Sequence, residues 1–124
     1  MKKLLVVDDE QVVREFMAKL LECPDYEIIE ADNGTAAFDL AKMHQPDLVI
    51  ADVVMDNMNG LMLKELLRED KKTASIPVIL MTGFAQGVEA WQADPDDEYL
   101  EKPFSTAELL SAVEGAINRS LRSQ

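Results

Sequence analysis

Three short apolar runs constrain this chain more than any other feature: LLVV at residues 4–7, LVIA at 48–51 and VILM at 78–81. Each has the length and continuity of a strand buried on both faces of a parallel sheet; a helix needs more residues and a spaced pattern. Two weaker candidates, YEIIE at 26–30 and EYLE at 98–101, carry charges at their ends and read as edge strands. Helical patterns fill the intervals. Val12/Phe16/Leu20 and Val13/Met17/Leu21 form apolar stripes at i, i+4 spacing. Asp32-Asn33-Gly34 opens a second helix running to about His44, and Asn59-Gly60 opens a third ending near Asp70. Ser105 and Glu108 make a capping box ahead of Leu109, Val113, Ile117 and Leu121. A further helix around residues 86–92 is weakly marked: Gly83 and Gly87 loosen its start, and Pro95 ends it by about Ala93.

This alternation is a single α/β domain of (βα)5 type, a five-stranded parallel sheet with helices on both faces. The apolar strands 1, 3 and 4 belong in the middle and 2 and 5 at the edges, which gives the order 2-1-3-4-5. Ligands of such doubly wound sheets bind outside the carboxyl ends of the strands, where the order reverses, here between strands 1 and 3. With 124 residues the chain suits one domain, residues 1–124. Met1 precedes strand 1 by only two residues, which favours a natural start, and no output domain is expected within residues 1–124; a stand-alone regulator and a receiver cut from a longer one both fit.

A formal net charge of -12 repels nucleic acid and anionic lipid, so neither is an expected partner of this chain. It favours divalent cations and basic protein surfaces. No apolar run is long enough to span a bilayer, and MKKLLVVDDE lacks the features of a signal peptide. The lone Cys23 fits a reducing compartment, so the expected location is cytoplasmic.

The residues at the carboxyl ends carry the chemistry. Strand 1 runs into Asp8-Asp9-Glu10, strand 3 into Asp52, strand 4 into Thr82 and strand 5 into Lys102. Three aspartates from strands 1 and 3 are expected to converge within a few ångströms. Two like charges ~4 Å apart repel by about 4 kcal/mol at an effective dielectric near 20, so such a cluster takes up protons or binds a cation. An oxygen-only donor set suits Mg2+, which keeps several waters and shares its sphere with phosphate. With the Lys102 ammonium and the Thr82 hydroxyl beside it, a nucleophilic carboxylate becomes a phosphoryl-accepting site. Singly, each residue has a plainer reading. Asp8 with Gln11 suits a capping box, Thr82 a strand end and Lys102 a solvated charge. One cap needs one acid, however, and the four strand ends meet around one switch point.

Taken together, VDDE at 7–10, PDLVIADVVM at 46–55, MNG at 58–60, PVILMTG at 77–83 and YLEKPF at 99–104 resemble a response-regulator receiver domain of two-component signalling, over nearly the whole chain. The resemblance implies a flavodoxin-like fold and a phosphorylation-activated switch. It makes Asp52 the phospho-acceptor, Asp9 a direct Mg2+ ligand and Asp8 the holder of a metal-bound water. The backbone carbonyl of Val54 completes the protein ligands, Lys102 contacts the phosphoryl group, and Thr82 and Tyr99 form the switch pair. It implies a sensor histidine kinase or histidine phosphotransfer protein as donor, a downstream protein target, and chemistry limited to the chain's own phosphorylation and dephosphorylation. The surface that changes would lie around the 86–92 segment, the fifth strand and the last helix.

Two places depart from the family pattern. Asp56 stands where proline is usual, and Asp94-Pro95-Asp96 replaces a small glycine-containing turn. Trp91 reads as half-buried on its short helix, and Met55, Met58 and Met62 as gap-filling side chains. His44 reads as a favourable helix end rather than a phosphotransfer group. Two other functions share parts of this pattern. An aspartyl-phosphate phosphatase places its nucleophile after strand 1 in an Asp-x-Asp-x-Thr run, which DDEQV does not match. A flavodoxin-type carrier needs a hydroxyl-rich loop there, and this loop is acidic.

Overall fold

A strand without polar side chains is stable only where both of its faces are covered, and the central strands meet that condition. The computed structural model describes residues 2–22, 25–54, 58–82, 98–101 and 104–122. Its strands are β1 (Lys2–Val7), β2 (Tyr26–Ala31), β3 (Leu48–Asp52), β4 (Val78–Thr82) and β5 (Glu98–Glu101). Every residue of β3 and β4 is buried, as are the last four of β1. Strands β2 and β5 are only partly covered. All neighbouring strands are parallel, in the order β2-β1-β3-β4-β5 expected from the sequence.

Alternation along the strands divides the interior into two cores. Leu4, Val6, Leu48, Ile50, Ile79, Met81 and Leu100 face α1 (Gln11–Leu20) and α4 (Thr106–Arg122), packing on Met17, Leu109 and Val113. Leu5, Val7, Val49, Ala51, Val53 and Leu80 face α2 (Gly34–His44) and α3 (Gly60–Glu69), packing on Ala37, Ala41, Leu63 and Leu67. Of the two apolar stripes on α1, the one holding Val13, Met17 and Leu21 meets the sheet. Val12 is 77% exposed and Phe16 58%. The stripes are offset by one residue, about 100° around the helix, so Val12 and Phe16 point to solvent while Leu20 still packs on the same core.

Local capping starts three helices. Asn33 accepts from the Ala36 N–H at 2.8 Å and Asn59 from the Met62 N–H at 2.8 Å. Ser105 and Glu108 form the expected reciprocal box, each side chain on the other's backbone N–H at 3.0 and 3.1 Å. The remaining helix, α1, starts at Glu10 with no side-chain cap. The Asp8–Gln11 capping box, the plainer reading of Asp8, is not what the structure shows. Asp8 turns instead onto the Glu10 N–H, and Gln11 Nε2 donates to Glu15. Helix α2 ends on Gln45 in a left-handed conformation (φ 46°), whose N–H returns to the Ala41 carbonyl at 2.9 Å. The helix expected around residues 86–92, with Trp91 and Asp94-Pro95-Asp96, lies outside the described residues, as do Cys23, Asp56 and Lys102.

Candidate functional site

The register places the acidic residues. Val7 pairs with Ala51 across β1 and β3, so Asp8 and Asp52, each one residue further on, stand level at the carboxyl ends of adjacent strands. Both are buried, at 1% and 8% exposure. The ladder carries Asp52 into β3 as its last residue: it pairs with Met81, and the Val53 N–H donates to the Met81 carbonyl at 2.9 Å. Asp9 is half-buried beside Asp8, and Val54 is exposed.

Short hydrogen bonds fix the two buried carboxylates. Oδ1 of Asp8 accepts from the Glu10 N–H at 2.9 Å, and Oδ1 of Asp52 from the Val54 N–H at 2.9 Å. These are the Asx-type returns that short acidic side chains favour after a strand. Among the described residues, no three acidic, histidine or cysteine side chains stand close enough together to hold a metal ion. The fold sets Asp8 and Asp52 level, and Oδ1 of each is held by an amide of its own chain. Mg2+ takes one or two carboxylates and keeps waters. Oxygen donors on two neighbouring strand ends, with half-buried Asp9 alongside, fit that demand.

Thr82 ends β4, 3% exposed, on the α2/α3 side of the sheet by alternation from Val78 and Leu80. Tyr99 on β5 is half-buried, pairs with Leu80 and packs in the same core. The fold thus brings the two sequence-predicted switch residues onto one face of neighbouring strands. His44 lies at the opposite end of the sheet, where its carbonyl faces Lys3 Nζ at 3.5 Å, remote from Asp52.

Two residues at the site were not singled out from the sequence. In the sequence Gly60 stands out only as a helix opener. Its N–H donates to the Val53 carbonyl at 3.0 Å, and a Cβ there would lie 2.7 Å from the Asp52 carbonyl oxygen and 2.9 Å from Leu80 Cδ2. No side chain fits, so α3 starts hard against the residue at the heart of the site. Arg14, on the second turn of α1, donates from Nη1 to the Asp8 carbonyl at 2.7 Å and pairs with Glu30 at 3.5 Å. Its one sequence signal is that no other arginine precedes Arg68.

Comparison with known proteins agrees with this fold. The family model described as the response regulator receiver domain matches residues 4–114. A polar-differentiation response regulator, DivK, of Brucella anthropi is 31% identical over 114 residues, covering 90% of this chain and 93% of that protein. Histidine kinase P4 of Formosa agariphila is 36% identical over 121 residues, 96% of this chain but 9% of the kinase. Several curated relatives are much longer than the matched region, and the chain spans about half of their length or less. The crystal structure of a response regulator receiver domain protein from Clostridium thermocellum superposes with a TM-score of 0.84 at 32% identity, covering 100% of both chains.

Proposed function

The chain belongs to the response regulator receiver domain family, and from that premise we propose that it is a phosphorylation-driven switch whose acceptor is Asp52. Receiver domains are signalling switches rather than turnover enzymes. The observation that carries the assignment to Asp52 is its placement: a buried carboxylate at the end of a fully buried strand, level with Asp8 at the switch point of the sheet.

In this reading the donor is a phosphohistidine on a sensor histidine kinase or phosphotransfer protein. A carboxylate oxygen of Asp52 attacks phosphorus in line. The O–P bond forms as the P–N bond to imidazole breaks, and the imidazole leaves. The Val54 N–H holds Oδ1, so the attacking group is oriented before the donor arrives. Lys102 neutralises charge on the phosphoryl oxygens. Asp9, Asp52 and the Val54 carbonyl would hold Mg2+, with Asp8 reaching it through water, and the ion would supply charge neutralisation. Water later attacks the same phosphorus, releasing phosphate and restoring Asp52.

The response follows from the other half of the carboxyl edge. The Thr82 hydroxyl donates to a phosphoryl oxygen, drawing the end of β4 inward, and the Tyr99 ring follows on the shared face. This is a local charge event that biases a two-state element, and its size is limited by how differently the two states hold the phosphoryl group. The resulting surface, around residues 86–92, β5 and α4, binds a downstream protein. We place the chain in the cytoplasm, where Cys23 stays reduced. Among the described residues, no helix is long and apolar enough to cross a membrane.

Intact-mass spectrometry after incubation with a small acyl phosphate tests the reading. The parent should gain one phosphoryl group only when Mg2+ is present, and Asp52→Ala should gain none. Equal labelling of Asp52→Ala refutes the acceptor.

A further inference from the structure

The Arg14 guanidinium joins three segments that the sequence keeps apart. Nη1 donates to the Asp8 carbonyl at 2.7 Å, Nε lies 3.5 Å from Glu30 Oε1, and the Arg14 side chain is only 14% exposed. Next to Glu30, the Ala31 carbonyl accepts the Asp8 N–H at 3.1 Å. The backbone of Asp8 is thus gripped on both sides: its N–H by the end of β2, its carbonyl by an arginine that is itself paired to the end of β2. Since α1 starts without a side-chain cap, this grip and the Asp8 side chain are what fix the turn from β1 into the helix.

The Asp8 carbonyl belongs to the peptide unit that ends at the Asp9 nitrogen. That unit is planar and rigid, so holding its oxygen fixes the direction in which Asp9 leaves the strand. A charge-assisted hydrogen bond from a mostly buried guanidinium is stronger than a neutral one. Arginine suits the position because its fork serves the carbonyl and Glu30 together, and a lysine ammonium presents no such planar fork. We propose that Arg14 is a positioning residue for the Asp8-Asp9 pair, setting how tightly this edge of the site binds a divalent cation. The inference rests on the reading of these carboxylates as the Mg2+ site serving Asp52.

Calorimetric titration of the full chain with Mg2+, beside thermal melts and acyl-phosphate labelling, tests it. Arg14→Met keeps the length and apolar stem and removes the fork. Its Mg2+ dissociation constant should rise by about 10- to 100-fold, the usual loss when a group supporting metal ligands is removed. Labelling at saturating Mg2+ should fall far less. Arg14→Lys should recover part of the affinity, and Glu30→Gln should lose affinity in the same direction by a smaller factor. General structural damage predicts the opposite split: a lower melting temperature with the parent's Mg2+ affinity at temperatures where the variant is folded. A folded Arg14→Met that binds Mg2+ like the parent overturns the inference alone. If Arg14→Met does not fold, Glu30→Gln decides, and parental Mg2+ affinity in that variant overturns it. A parent chain that binds no Mg2+ overturns the acceptor-site reading, and this inference with it.

Discussion

Asp52 and Thr82 end neighbouring strands and both are buried, yet the halves of the sheet they belong to are built differently. On the β1/β3 side the strands are covered on both faces up to the carboxylates, and Asp8 and Asp52 are each tied by a hydrogen bond to their own backbone. On the β4/β5 side, β5 has four residues, of which Leu100 alone is buried, and Tyr99 is half-covered. The difference matches the division of labour in the proposed function. A group that must meet a phosphoryl donor in line gains from being held still. A group that must report the event needs an element of low local stability, because such elements move at small cost.

Core truncations break the comparison most directly. Ile50 is fully buried in the middle of β3, and Leu100 is 7% exposed on the edge strand. Ile50→Ala should destabilise toward the upper end of about 2–5 kcal/mol, and Leu100→Ala toward the lower end. Urea denaturation checks this, and equal losses would remove the distinction between the two halves. Mg2+ should stabilise through the β1/β3 side alone. At a hundredfold excess over its dissociation constant a native-state ligand adds about 2.7 kcal/mol. A thermal melt should show that gain in the parent and in Thr82→Ala, and lose it in Asp9→Ala.

Gly60→Ala presses a methyl group onto the Asp52 carbonyl and Leu80. Because the nearest atom is backbone, the site itself must shift, at a cost of about 1–3 kcal/mol. Labelling of Asp52 should slow along with the loss of stability; a variant as stable and as reactive as the parent would show that α3 is not braced against the acceptor. The smallest effect belongs to the ion pair of Arg119 with Glu98, which fastens α4 to β5 at the surface. Glu98→Gln should cost only about 0.2–1 kcal/mol in a denaturation series, falling further in high salt.

What was legible in the sequence followed from short-range rules. The apolar runs of β1, β3 and β4 gave the sheet order because burial on both faces demands such runs. Asn33, Asn59 and the Ser105–Glu108 box were readable because a cap and its partner lie within one turn. Val12 and Phe16 were read as part of the apolar packing because two stripes share α1, and periodicity cannot say which one a sheet will cover. The acidic strand ends were readable as residue types but not as geometry: Oδ1 of Asp8 and of Asp52 each returns to the amide two residues on, a local choice the sequence leaves open. Gly60 against Asp52 and Arg14 against Asp8 were invisible because each contact exists only after two elements have packed.

The central claim is that one carboxylate among the acidic strand ends receives the phosphoryl group. Borohydride reduction of the phosphorylated chain converts the acyl phosphate to an alcohol at the acceptor, and tandem mass spectrometry of the peptides then identifies the residue. The account predicts conversion at Asp52 alone, dependent on Mg2+ during phosphorylation. Conversion at Asp8 or Asp9 with Asp52 unchanged would contradict it.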